Sequence, residues 1–196
     1  MQKKTINYRW RVVDIVVAAV IGVAAALIYF AWNNLYGPVT KPLAVALPGS
    51  EAVLYGVWLF GGVLGGIVIR KPGAALFTEL VAAIVSAGLG AQWGWLTVEA
   101  GLVQGLGAEI VFAIFLYRNW SLVVAMLAGA LSGLAMAVND ITIYYRGYAP
   151  SYWIAYGIGG VISGAVIAGL GSWLILRGLA KTGVLSRFSS GRARTA

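Results

Sequence analysis

The side chains able to do chemistry in this sequence are few. Six carboxylates are present, at Asp14, Glu51, Glu79, Glu99, Glu109 and Asp140, and Asn139 stands beside the last of them. Histidine and cysteine are both absent from the 196 residues. That excludes thiol catalysis, imidazole acid–base chemistry and the usual metal sites, so no cofactor is expected. An intramembrane enzyme would need a clustered acid pair or a nucleophile beside a base, and neither is legible, so the chain reads as a non-enzyme.

The sharpest grouping is Glu99, Asn139 and Asp140 amid Trp93, Trp95, Tyr152, Trp153 and Tyr156. Carboxylates with aromatic walls suit an organic cation or a flat heteroaromatic ring: ring faces attract positive charge and stack on planar solutes, while carboxylates fix amino groups. Tyr144, Tyr145 and Tyr148 read instead as part of an interfacial aromatic belt. Glu79 and Glu109 lie inside apolar stretches, where a carboxylate costs about 3 kcal/mol and needs a partner or a polar cavity. Glu79, about two turns from Arg70 and Lys71, fits a packing hydrogen bond or an ion pair. Glu109 has no basic neighbour in sequence and fits a polar cavity.

The elements that must hold these groups are membrane spans. Hydrophobic residues make up 61% of the chain and charged residues 10%, against roughly 25% charge in a soluble domain, so lipid is the expected solvent. Six apolar windows follow, at about 12–32, 52–69, 74–89, 98–117, 122–138 and 153–176. Between the first two, residues 33–50 read as a long loop with Pro38, Pro42 and Pro48. The predicted fold class is an all-α integral membrane bundle of six transmembrane helices. Residues 1–180 form one substrate-binding domain and residues 181–196 a flexible basic cytoplasmic tail.

Cations give the orientation. The N-terminal flank carries Lys3, Lys4, Arg9 and Arg11, and further cations sit at Arg70, Lys71, Arg118, Arg177, Lys181, Arg187, Arg192 and Arg194. With six spans these twelve all fall on one side, leaving Lys41 and Arg146 on the other, so both termini are expected in the cytoplasm. The first apolar run is too long for a signal-peptide core and reads as a retained span. The net charge of +8 is thereby explained without nucleic acid. Glycine clusters lack the Lys and Ser/Thr of a phosphate-binding loop, so any ATP hydrolysis belongs to another subunit. Small residues recur every four positions at Ala18, Gly22 and Ala26, and again at Ala82, Ser86 and Gly90, giving flat stripes for close helix approach.

The segment 70–94, RKPGAALFTELVAAIVSAGLGAQWG, with Glu109 and the Asn139–Asp140 pair, resembles the YkoE family of S components of energy-coupling factor (ECF) vitamin transporters. That resemblance implies a subunit that binds thiamine or its hydroxymethylpyrimidine precursor and joins a transmembrane coupling subunit and two cytoplasmic ATPases. It implies a partner interface at Ala18, Gly22, Ala26, Ala82 and Ser86. It also implies a solute pocket near the outer face, under the loop joining the first two helices, drawing on Trp93, Glu99, Glu109, Asn139, Asp140, Tyr152, Trp153 and Tyr156. A rival reading of the residues is an autonomous proton-coupled carrier using Glu79 and Glu109.

Overall fold

A backbone group facing hydrocarbon has no water to bond, so membrane chains fold as helices that satisfy their own N–H and C=O groups. The computed structural model describes residues 8–192, and within them every regular element is helical. These are α1 (Val12–Ala46), a 3₁₀ segment (Ser50–Trp58), α2 (Phe60–Ile69), α3 (Ala74–Gly88), α4 (Leu96–Ile114), α5 (Leu122–Ile143), α6 (Pro150–Ser163), a π-helical stretch (Gly164–Leu170), α7 (Gly171–Thr182) and α8 (Ser189–Arg192). From Pro150 to Thr182 the helix is continuous.

Four helices are long and apolar enough to cross a bilayer: α1, α4, α5 and Pro150–Thr182. A fifth candidate is a bent pair, the 3₁₀ segment and α2 meeting at 43° and together long and apolar enough for a span. The remaining apolar helix, α3, has 15 residues.

The second expected span is therefore two pieces with a break at Leu59. The long proline-bearing loop expected at residues 33–50 is also corrected, because α1 runs on to Ala46 with Pro38 and Pro42 inside it. Both prolines are exposed on the helix surface. Side chains bond to the neighbouring carbonyls, Thr40 Oγ1 donating to the Tyr36 oxygen at 2.7 Å and Asn34 Nδ2 to the Phe30 oxygen at 2.7 Å. The loop proper is only residues 47–49.

The centre of the bundle is α2, in which every residue from Gly61 to Ile69 is buried. Its glycines make it thin. A Cβ at Gly61 would lie 2.8 Å from the Tyr29 hydroxyl, and one at Gly62 would lie 3.1 Å from the Glu79 Cβ. α1, α3, α4 and α7 gather around this core, and α5 packs between α4 and α6.

The α5 crossing with the last long helix is equally close. Gly133 faces the Gly160 carbonyl and Gly129 faces the Gly164 carbonyl, leaving no room for a Cβ. Gly164 begins the π-helical stretch, whose wider turn lies directly against α5. At the chain's end, Leu185 and Phe188 are buried in the core cluster and the Ser190 hydroxyl donates to the Val68 carbonyl at 2.8 Å. Leu185, Phe188 and Ser190 therefore pack back onto the bundle. Residues 193–196 lie outside the described residues, as do Lys3 and Lys4.

Overpacking a backbone contact of this kind costs about 2 kcal/mol or more. Gly133→Val should lower the melting temperature in detergent by several degrees, whereas Gly157→Ala, with nothing within 4 Å of its new methyl, should leave it unchanged. Equal melting temperatures for the two variants would contradict the α5 crossing described here.

Candidate functional site

Helical repeats of three and four residues bring one stripe from each of several helices to a common space. Tyr29, Asn33 and Tyr36 come from α1, Glu79, Ala83 and Ser86 from α3, and Thr97, Ala100 and Gln104 from α4. Met136 and Asp140 come from α5, Tyr156 from α6, Tyr55 and Trp58 from the 3₁₀ segment, and Trp93 from the loop between α3 and α4. They enclose a cavity of about 230 Å³.

Its walls are an aromatic box. Trp58 packs against Trp93 with ring centroids 5.5 Å apart, against Tyr36 at 5.1 Å and against Tyr55 at 5.1 Å. Tyr55 meets Tyr156 at 5.8 Å, which joins the box to a tyrosine row of Tyr145, Tyr152 and Tyr156. The break at Leu59 is what turns Tyr55 and Trp58 inward.

Polar groups divide into those already used and those left open. Trp58 Nε1 donates to Asn33 Oδ1 at 2.8 Å, and Asn33 Nδ2 to Ser86 Oγ at 3.3 Å. Tyr156 donates to Asp140 Oδ2 at 2.7 Å, leaving Oδ1 without a hydrogen bond from the described residues. The Gln104 amide, buried against the cavity, makes no side-chain hydrogen bond among the described residues. The Thr97 hydroxyl is buried and unpaired. An orphaned buried polar atom costs about 1–3 kcal/mol, so the Thr97 hydroxyl, with the open Gln104 amide and Asp140 Oδ1 beside it on the same cavity, points to a ligand that pairs with them.

The other carboxylates cap helices. Glu79 accepts from the Gly62 amide at 2.6 Å and from the Tyr29 hydroxyl at 3.0 Å, while Tyr29 Oη accepts from the Gly61 amide at 3.0 Å. Glu79 thus satisfies the first turn of α2 and forms the cavity floor. Its partners are Tyr29 and Gly62, so of the two arrangements expected for it the packing hydrogen bond is the one present. Glu109 lies at the far end of α3, away from the cavity. It accepts from the Gly73 amide at 2.6 Å, the Ala75 amide at 2.9 Å and the Tyr117 hydroxyl at 2.8 Å. The polar cavity expected around Glu109 is in fact a helix N-terminus, whose amides and dipole hold the carboxylate.

Of the residues read from sequence as a solute site, Trp93, Asp140 and Tyr156 line the cavity. Tyr152 sits beside it and donates to Glu51 at 2.8 Å, and Trp153 Nε1 donates to the Tyr145 carbonyl at 2.8 Å. Asn139 Nδ2 donates to Glu99 at 3.0 Å, tying α5 to α4 outside the cavity. Tyr144 and Tyr145, assigned to the belt, line the cavity.

Tyr29, Asn33, Tyr36, Tyr55, Trp58, Thr97, Gln104 and Met136 were not singled out. The spacing 29, 33, 36 was a readable signal, hidden by ending the first helix near Trp32. The partner-interface residues are corrected as well. Ala18, Gly22, Ala26, Ala82 and Ser86 are all buried, because the stripes of α1 and α3 pack on each other. A Cβ at Gly22 would lie 2.8 Å from the Thr78 carbonyl oxygen.

Comparisons with known proteins decide the class. A family model described as "ABC-type cobalt transport system, permease component" matches residues 13–135. The putative HMP/thiamine permease protein YkoE of Bacillus subtilis (strain 168) is 37% identical over 184 residues, covering 93% of this chain and 91% of that one. A crystal structure of an S-component of an ECF transporter superposes with a TM-score of 0.86 at 36% identity, covering 94% of this chain and 92% of the other.

The chain belongs to the YkoE family of ECF S components. An S component is a membrane transporter subunit. Within this S component the cavity lies at the end of the bundle that holds the starts of α4 and α6 and the close of α5. Glu109 holds the opposite end.

Removing a charge-assisted cap with three partners should cost about 2–3 kcal/mol. Glu109→Ala is expected to lower thermal stability by that amount while the surviving folded protein keeps its solute affinity. A variant of normal stability with abolished binding would return Glu109 to the binding site.

Proposed function

We propose that this S component binds thiamine or its hydroxymethylpyrimidine precursor from outside the cell and delivers it to a coupling subunit with two ATPases. The observation that carries the reading is the aromatic box with the unpaired Thr97 hydroxyl, the open Gln104 amide and Asp140 Oδ1 on its walls. A carboxamide offers both a donor and an acceptor, which matches the edge of an aminopyrimidine. Aromatic faces and the Asp140 carboxylate suit a thiazolium, each cation–ring contact contributing about 0.5–2 kcal/mol. The YkoE relative's printed name, an HMP/thiamine permease, supports the same solute. A hydrated metal cation fits less well, since this cavity is largely ring surface and the sequence lacks histidine and cysteine.

In this reading the chain crosses the membrane six times, α3 serving as a short crossing, with both termini cytoplasmic and the cavity toward the outside. The cations at Arg70, Lys71, Arg118, Arg177 and Lys181 support that orientation, since they cluster at the end opposite the cavity. In the same reading the loop 47–49 lies on the outer side, held by Glu51. That carboxylate accepts from the Gly49 amide at 2.8 Å and from the Tyr152 hydroxyl at 2.8 Å. A coupling subunit that approaches α1 would meet its open apolar face, Val16, Val20, Val23 and Leu27, since the small-residue stripe is closed by α3.

Calorimetry on the purified chain tests the solute. Gln104→Ala should weaken both ligands about tenfold or more, through loss of the pyrimidine contact. Asp140→Asn should weaken thiamine about tenfold and hydroxymethylpyrimidine, which carries no fixed charge, much less. Absence of binding by the unmodified chain to either compound would remove the assignment. Labelling of a cysteine placed at Lys71 from the outer side would remove the orientation.

A further inference from the structure

A second pocket, of about 370 Å³, opens at the end of the bundle opposite the aromatic cavity. Its polar wall is cationic: Arg70 closes α2, while Arg177 and Lys181 lie one turn apart on α7. Two tryptophans back the guanidinium groups. The Arg70 Cζ lies 5.7 Å from the Trp120 ring centroid and the Arg177 Cζ lies 4.6 Å from that of Trp173. Leu176 supplies a buried apolar floor and Ser190 a buried rim.

Two features of this arrangement are unfavourable unless an anion is present. No carboxylate lines the pocket among the described residues, so three like charges face one space. Cations four residues apart on a helix repel each other, and Arg177 and Lys181 stand in that relation. Arg70 also adopts a left-handed conformation, φ 58° and ψ 42°, at the C-cap of α2. Glycine meets that conformation with less strain, so arginine there serves through its side chain. Burial pushes the Arg70 guanidinium down to about 10, as expected for a cation partly withdrawn from water without a counter-charge.

We infer that this pocket binds the phosphate of an anionic phospholipid. Guanidinium forks match phosphate oxygens in pairs, and a lysine adds a point charge. Tryptophans beside the cations place the pocket at headgroup depth, with Leu176 facing the acyl side. Basic pockets between helix ends on the positively charged side of a membrane protein are the usual setting for such headgroups. The inference is independent of the solute in the aromatic cavity.

The test compares the purified chain with Arg177→Gln/Lys181→Gln, both exposed positions whose change should leave the bundle intact. Binding of phosphatidylglycerol and of cardiolipin is counted by native mass spectrometry, and thermal shifts are read alongside. Both lipids should bind and raise the melting temperature, and the double variant should lose at least about tenfold in affinity. Phosphatidylcholine should bind far less at the same concentration. Equal binding of phosphatidylcholine, retention of phosphatidylglycerol by the double variant, or an equal thermal shift from inorganic phosphate alone would each overturn the lipid site. So would a double variant that binds lipid normally but no longer holds a coupling subunit, since the pocket would then be a protein contact.

Discussion

The start of a helix buried in a bilayer leaves amide groups that neither water nor the helix itself can satisfy. The chain meets that constraint with carboxylates. Asp14 accepts from the Arg11 amide at the start of α1, Glu51 from Gly49 ahead of the 3₁₀ segment, Glu79 from Gly62 in α2 and Glu109 from Gly73 and Ala75 in α3. Each carboxyl group lies at the positive end of a helix dipole, where its acceptor oxygens meet unpaired amides. Because Glu79 and Tyr29 can cap α2 in the middle of the bundle, the second crossing is able to break at Leu59. The break in turn lets the 3₁₀ segment carry Tyr55 and Trp58 into the cavity. The shape of the cavity is thus a consequence of the capping arrangement that forms its floor.

That arrangement also explains the glycines of α2. Glu79 reaches the Gly62 amide only because α3 lies against a helix with no side chain at that point, and Thr78 and Phe112 occupy the surfaces left open by Gly65 and Gly66. Close approach of this kind maximises dispersion contact where lipid provides no hydrophobic drive between helices. The same logic closes the α1 stripe on α3, which leaves α1 with a wide exposed apolar face on its other side.

How much of this was legible follows from what a linear pattern can carry. Apolar runs and cation spacing gave the helical class, the α3 boundaries almost to the residue, and the end of the bundle where aromatic groups gather. Proline content misplaced the end of α1, because proline signals a turn in water but is tolerated inside membrane helices, and α1 carries Pro38 and Pro42 on its exposed surface. That single boundary hid Asn33 and Tyr36. Trp93, Asp140 and Tyr156, which chemistry and position single out in the sequence, line the cavity. Gln104 and Thr97 look ordinary in sequence, and only the missing partners in the folded chain distinguish them. Glu109 shows the opposite failure: an isolated buried acid reads as functional until the amides of a distant helix start are seen around it.

With four of the six acids engaged by backbone amides and Glu99 engaged by Asn139, Asp140 is the carboxylate that reaches the cavity with an oxygen to spare. A solute held there touches α1 as well, through Tyr29, Asn33 and Tyr36. α1 packs on α2, α3 and the 3₁₀ segment, with its opposite face open. It is therefore the long helix whose position is least fixed by the bundle and most exposed to a neighbouring protein. Contacts made by a solute with its inner stripe add to the few that hold it. On the proposed solute-binding role, contacts at Tyr29, Asn33 and Tyr36 would therefore bear on the helix that also presents an open apolar face to a neighbouring protein.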